Sequence, residues 1–254
     1  MVAANAVGLA ALLSINLNRV RTEFPKVAGK KLVLFAIFCA VNVWTFFAGF
    51  KFTSIGNVLI VHYAAPVAVA LLSPVFLNEK PSDKTLVALA LSVVGLGLVV
   101  WNEMGIGTKN DMWGILLAAV SAVAYTGVII VARDFARAHA DAVTLTVAQT
   151  SFLLVCALPF FSPSELTAAG FGFAAAAGIL HLTFGALCYF SGLREVSAPT
   201  AGLLGYSEIF FGMIWGYIFY AETLGTMKIA GAVFIVVAGA LVLLPNNKER
   251  KTET

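Results

Sequence analysis

The sequence predicts an all-α polytopic membrane protein with nine transmembrane helices, and three observations carry that prediction. Hydrophobic residues make up 60% of the 254 positions and charged residues 11%, where a soluble globular domain carries roughly 25% charged residues. The apolar residues gather into blocks, most of them about 17–25 positions long, the length a helix needs to cross a bilayer. Short polar connections join the blocks, and the ten-residue alternation that marks a membrane barrel is absent. Lipid offers no partner to backbone N–H and C=O groups, so each block must satisfy its own as a helix.

In chain order the blocks are 2–17, 32–50, 54–77, 85–101, 112–132, 142–161, 167–190, 197–221 and 227–244. The first is the shortest. Its cations follow the apolar stretch instead of preceding it, the reverse of a secretory signal. Arg19, Arg21, Lys26, Lys30 and Lys31 separate the first block from the second, Lys51 follows the second, Lys80 and Lys84 follow the third, and Lys109 follows the fourth. Arg133 and Arg137 follow the fifth block and Arg194 the seventh, Lys228 opens the ninth, and Lys248, Arg250 and Lys251 lie in the tail. Thirteen of the 16 cations therefore fall on one side of the membrane. The positive-inside rule makes that side the cytoplasm, so the C-terminus is expected inside and Met1 outside. Short loops point to a bacterial inner membrane, with the lipid bilayer as partner. The net charge of +3 follows from the same bias and implies no nucleic acid. Cys39, Cys156 and Cys188 all lie within blocks, an odd number that argues against a disulfide framework.

The chain also resembles itself. At an offset of 143 residues, Phe46-Phe47-Ala48-Gly49-Phe50-Lys51-Phe52-Thr53-Ser54 reads against Tyr189-Phe190-Ser191-Gly192-Leu193-Arg194-Glu195-Val196-Ser197. Further along, Tyr63 meets Tyr206 and Glu79 meets Glu222. Lys51 is expected outside and Arg194 inside, so the two copies cross the membrane in opposite senses. Inverted-topology repeats supply the alternating halves of secondary transporters. Duplication also occurs in membrane proteins that move nothing, which leaves a scaffold as the other reading.

The segment Gly114-Ile115-Leu116-Leu117-Ala118-Ala119-Val120-Ser121-Ala122-Val123-Ala124-Tyr125 resembles the opening helix of an EamA domain of the drug/metabolite transporter superfamily. Tyr206-Ser207-Glu208-Ile209 through Tyr220-Ala221-Glu222, then Gly231 and Gly239, is similar to the closing two helices of that domain. Pro66, Leu77-Asn78-Glu79, Gly95 and Gly97 repeat the same close in the first half. The resemblance covers nearly the whole chain and implies ten helices, five in each half. This sequence has five in its second half and four in its first, with no counterpart for the opening helix. The expected domains are a first EamA-like half at 1–105, a second at 106–245 and a basic cytoplasmic tail at 246–254, with the missing helix expected upstream. The resemblance implies a secondary transporter for a small polar metabolite such as an amino acid or a base, working as an exporter or a proton-linked carrier by alternating access. The alternative is a non-transporting scaffold or a truncated, inactive transporter.

Of 13 acidic residues, only Glu208 falls deep within a block. Eleven residues of helix from Ser197 place it roughly 16 Å in, close to the middle of a ~30 Å hydrocarbon core. A charge there costs at least ~2.5 kcal/mol, so Glu208 should face protein or a wet cavity and marks a substrate or proton site; a protonated glutamate joining two helices is the other reading. Gly205, Gly212 and Gly216 share its helix face, where small residues admit a close neighbour, while Phe210, Phe211, Ile214 and Ile218 suit lipid. The family pattern has proline after this glutamate; here Ile209 stands in its place.

His62 lies mid-block, four residues before Pro66. Proline has no N–H, so the carbonyl of residue 62 is left without its helical donor, and freed carbonyls near the midplane coordinate substrates or ions in transporters. His62 could also pass a proton to Glu208, or be a neutral histidine bonded within the bundle. Tyr63 and Tyr206 are repeat-related hydroxyls able to grip a polar substrate or to pack as aromatics. Asn42, Trp44, Tyr125, Gln149 and His181 are candidate cavity-lining groups, with interhelical hydrogen bonding or packing as the alternative. No nucleophile triad or phosphate loop occurs, and His62, His139 and His181 are too far apart in sequence for a metal site. No enzyme activity, metal or cofactor is expected; the expected ligands are a small-molecule substrate and protons, and the sequence leaves the oligomeric state open.

Overall fold

A computed structural model describes residues 2–105, 111–161, 167–221 and 223–244. Among the described residues every regular element is helical: α1 (Val2–Val27), α2 (Lys30–Gly49), α3 (Ile55–His62), α4 (Ala65–Phe76), α5 (Asp83–Val100), α6 (Asp111–Arg137), α7 (Ala142–Ala157), α8 (Ala168–Ala177), α9 (Ala186–Gly192), α10 (Ala198–Leu204), α11 (Ser207–Tyr220) and α12 (Thr226–Leu243). A 3₁₀ turn (Leu158–Phe160) ends the α7 block, and a π-helical stretch (Gly178–Gly185) joins α8 to α9. The elements fall into the nine predicted blocks. Among the described residues seven blocks form helices long and apolar enough to cross a membrane, and α7 is a shorter apolar helix. The chain is a multi-pass membrane protein.

The first block runs further than its apolar stretch. α1 continues through Arg19, Arg21 and Glu23 to Val27, because a polar segment outside lipid can stay helical when side chains support it. Lys26 pairs with Glu23 one turn back at 2.7 Å. The tail at 246–254, the 105/106 boundary between the expected halves, and Glu222 fall wholly or partly outside the described residues.

The helices form two compact units, each drawing on two separate stretches of the chain. One comprises Met1–Val43 with Gly127–Val196. In it α1 packs on α7 and on the π-helical stretch. A side chain on Gly8 would meet the Gly178 carbonyl at 2.7 Å, and one on Gly178 the Ala4 carbonyl at 2.2 Å, so only glycine permits this crossing. Phe35 is fully buried and sits edge-on to Phe135 and Phe190. At the end of this unit outside the spans, Arg19 donates to Asp141 at 2.6 Å, and Asp141 caps α7 through the Thr144 N–H and hydroxyl. Burial raises the Asp141 pKa, but the Thr144 and Arg19 hydrogen bonds and the guanidinium charge outweigh it and hold the carboxyl below its ordinary range.

The other unit comprises Trp44–Thr126 with Ser197–Thr254. Its main seam is α5 against α12. Gly95 and Gly231 meet backbone to backbone: a Cβ on either would lie 2.8 or 2.4 Å from the other's carbonyl. Buried Tyr63, Leu89, Leu96, Leu203, Tyr206 and Ile235 build the core above that crossing. At one end the Asn57 side chain clamps the chain leaving α5, donating to the Gly105 carbonyl at 2.6 Å and accepting from its N–H at 3.3 Å.

Candidate functional site

Two blocks of this second unit are broken in their middles. α3 gives way to α4 at Tyr63-Ala64, where Pro66 supplies no N–H to the His62 carbonyl. α10 gives way to α11 at Gly205-Tyr206 without a proline. There the backbone tightens instead: Gly205 donates to Gly202 at 3.1 Å, Tyr206 to Leu203 at 3.0 Å, Glu208 to Gly205 at 3.1 Å and Ile209 to Tyr206 at 3.1 Å. These bonds are 3₁₀ geometry: Tyr206, Glu208 and Ile209 bond three residues back instead of four, and the Gly205 N–H is shared with the Ala201 carbonyl at 3.3 Å.

The two breaks meet through their tyrosines. Tyr63 and Tyr206 stack with ring centroids 5.7 Å apart and planes 27° apart. The Tyr206 hydroxyl, fully buried, donates to the Tyr63 carbonyl at 2.7 Å. It gives a partner to the Tyr63 carbonyl, next in the chain to the one that Pro66 leaves without a helical donor, and a buried carbonyl requires one. The Tyr63 hydroxyl in turn donates to Glu208 Oε2 at 3.1 Å.

The Glu208 side is open, since Ser207 and Glu208 are exposed. A carboxylate at this depth cannot face hydrocarbon without heavy cost, so the exposed side of α11 here suits a wet cavity. The expected glycine seam is only partly present. Gly216 is buried, and a Cβ on Gly205 would lie 3.8 Å from the Tyr125 hydroxyl of α6, but one on Gly212 would meet nothing within 4 Å. Gly212 therefore leaves room beside the carboxylate instead of admitting a helix. The physical reason is that α11 packs on its neighbours through Ile209, Phe210 and Met213, which also makes Phe210 half-buried instead of lipid-facing.

His62 stands next to this pair in the chain but has its own partners. Its Nδ1 lies 2.7 Å from the Ser121 hydroxyl, and its ring is flanked by Phe46 at 4.4 Å and Tyr125 at 5.2 Å. Edge contact with Tyr63 at 5.2 Å makes Tyr63 the link between the imidazole and the carboxylate. Pro66 and Trp44 belong to this unit too, Pro66 buried against Gly202 and Trp44 exposed. Asn42, Gln149 and His181 belong to the other unit; Gln149 donates to Cys39 Sγ at 3.8 Å and His181 is exposed on the π-helical stretch. Sequence reasoning missed Ser121 and Phe46. Ser121 could have been found: it precedes Tyr125 by one helical turn inside an otherwise apolar run. Among the described residues no cluster of three or more metal-ligating side chains occurs.

Broken helices stacked at mid-span around one carboxylate, within a multi-pass helical protein, are the architecture of a membrane carrier. The sequence matches the EamA-like transporter family over residues 1–101 and 112–244, and the chain belongs to that family. It is 27% identical over 218 residues to an uncharacterized transporter of Archaeoglobus fulgidus, covering 84% of this chain and 76% of that one. It is 24% identical over 184 residues to an uncharacterized transporter of Clostridium kluyveri, covering 68% of this chain and 58% of the relative. A solved structure described only as a crystal structure of protein aligns over 100% of this chain and 88% of its own, with a TM-score of 0.79 at 16% identity. That likeness speaks to the fold.

Proposed function

We propose that this protein is a secondary transporter that moves a small polar metabolite across the cell membrane by alternating access, with Glu208 as its substrate or proton site. The observation that carries the reading is the exposed mid-span carboxylate of Glu208, held by the Tyr63 hydroxyl at 3.1 Å where two broken helices meet. Intramembrane acids that are kept despite their cost mark ion and substrate paths, and broken helices supply the polar backbone that such sites use. Tyr63 positions the carboxylate, His62 completes the polar cluster with Ser121, and Gly212 keeps space beside it. The sequence repeat at 143 residues supplies the two inverted halves, 1–105 and 106–245. The bias of basic residues supports a reading in which the C-terminus lies in the cytoplasm of a bacterial cell and transport is export or proton-linked.

The test is uptake of labelled amino acids, bases and sugars into inside-out vesicles, with and without a pH gradient, for the wild type and Glu208→Gln. Gradient-dependent uptake of one class, reduced to background in Glu208→Gln, is the expected result. Undiminished uptake in the variant would remove Glu208 from the mechanism. An absence of uptake for every compound would favour the scaffold.

A further inference from the structure

Within the second unit, the two broken blocks pack unequally. α4 lies along α10, and a Cβ on Gly202 would sit 3.4 Å from the Pro66 Cα and 3.6 Å from the Val69 Cβ. Glu79 fastens the same end: its carboxylate accepts from the Ala198 N–H at 2.7 Å, while its own backbone is held by Ser73 at 2.9 and 3.2 Å. The repeat offset of 143 residues carries α4 onto α11 and α10 onto α3. The repeat mate of the α4–α10 packing is therefore a packing of α11 on α3. Among the described residues α11 lies on α12 instead, and its approach to α3 is at most slight. Val69 is fully buried, and its mate Gly212 is exposed with nothing near it. The mate of Gly202 is Leu59, half-buried at the edge of the core.

The tyrosines show the same asymmetry. Tyr206 donates its hydroxyl to the Tyr63 carbonyl. The repeat mate of that bond is Tyr63 donating to the Tyr206 carbonyl, and Tyr63 donates to Glu208 instead. Two copies of one element in unlike conformations are what an inverted repeat needs to face either side of a membrane, the unlike arrangements exchanging between its halves.

We propose that Tyr63 and Tyr206 exchange roles during transport: the Tyr63 hydroxyl leaves Glu208 for the Tyr206 carbonyl as Leu59 seats in the notch at Gly212 and the Val69–Gly202 contact opens. This rests on the transport reading above and assigns Tyr63 and Tyr206 as positioning residues that tie the freedom of the Glu208 carboxylate to the state of the two broken helices. Release of the Tyr63 hydroxyl bond would change the hydrogen bonding that the exposed Glu208 carboxylate brings to substrate or proton in the second arrangement. Gly212 has a function in this scheme that a seam glycine would not: its missing side chain is the seat for Leu59.

Disulfide trapping in native membranes tests the exchange without a known substrate. In a chain whose Cys39, Cys156 and Cys188 are replaced by alanine, Val69→Cys with Gly202→Cys places the two Cβ atoms near the 3.6 Å seen here, within disulfide range. Leu59→Cys with Gly212→Cys tests the other arrangement. Both pairs are expected to cross-link under mild oxidation, and a chain carrying all four cysteines is expected to form one bond or the other, never both. Adding Tyr206→Phe removes a bond made only in the present arrangement and leaves a buried carbonyl unmet, so the ratio of 59–212 to 69–202 cross-links should rise about tenfold. A 59–212 pair that never closes while 69–202 does, both pairs closing in one molecule, or a ratio indifferent to Tyr206→Phe would each overturn the exchange. Alternating cross-links in a protein that carries no solute of the panel would sink the transport reading and leave the exchange standing.

Discussion

The blocks α3–α4 and α10–α11 make the same shape by different chemistry. Each begins at a serine in extended conformation, Ser54 at φ −65° and Ser197 at φ −67°. Each breaks at a tyrosine, and each ends at a left-handed residue, Asn78 at φ 56° and Ala221 at φ 52°. All three pairs are separated by the repeat offset. The first break is made by Pro66, which withholds a donor; the second is made by a run of 3₁₀ bonds with Ile209 in the proline's place. Packing then separates them, since α4 buries Pro66 and Val69 on the side that meets Gly202 of α10, while α11 presents Glu208 and Gly212 openly. A local backbone shape thus survives loss of the residue that enforces it, provided that tertiary partners such as the Tyr206 hydroxyl hold the break.

The largest effect should come from filling the glycine in each of the two repeat-related pairs, Val69–Gly202 and Leu59–Gly212. Gly202→Leu drives a side chain into Pro66 and Val69 and should destabilise the protein by about 3 kcal/mol, read as a fall in detergent melting temperature. Gly212→Leu enters open space and should leave the melting temperature within the equivalent of about 1 kcal/mol, yet abolish uptake. Equal thermal effects would erase the contrast between packed and open copies.

Next come the hydroxyls. Tyr206→Phe leaves the Tyr63 carbonyl buried without its donor and should cost about 2 kcal/mol. Tyr63→Phe removes one hydrogen bond from an exposed carboxylate and should cost about 1 kcal/mol or less, with its main effect on transport. Thermal shifts of the two variants in one preparation decide the order.

The left-handed helix ends should give smaller, opposite shifts. Ala221→Gly relieves a strained alanine and should stabilise by about 1 kcal/mol, while Asn78→Ala should destabilise by about the same amount. The smallest effect is expected outside the comparison, at Asp141, where Arg19 is more than half exposed. Asp141→Asn should lose less than about 1 kcal/mol at neutral pH, because asparagine can still cap α7 and solvent at the exposed Arg19 end screens the ion pair. The Asp141 carboxyl is depressed in the folded state, so its contribution is complete above its unfolded pKa of about 3.9 and is lost as pH falls through the lower folded value. The melting difference between wild type and Asp141→Asn should therefore narrow on acidification, and a difference that widens would contradict the assigned cause.

Much of this molecule was legible before any coordinates. Block lengths follow from bilayer thickness, and the isolation of Glu208 follows from the cost of charge in lipid, so composition and spacing alone marked both. The proline break was equally visible, because a missing N–H is a property of one residue. The second break was not visible, since Ile209 carries no such mark and the 3₁₀ turn depends on what the freed groups find. Nor could helical spacing choose the partner of Glu208: His62 and Tyr63 are adjacent in sequence, and the side chain that reaches the carboxylate is fixed by how α3 turns at the break.

By itself, then, the sequence determined which segments are helices, that they cross a membrane, and which acid among 13 sits within it. Each of these depends on local hydrophobicity and backbone chemistry. Tertiary structure decided that Tyr63 holds Glu208, that Ser121 holds His62, and that Gly212 is open while Gly202 is packed. These depend on which faces of distant segments meet, and in helices of nearly uniform apolarity many faces are chemically alike. Shape and a few hydrogen bonds choose among them, and those choices exist only once the chain has folded.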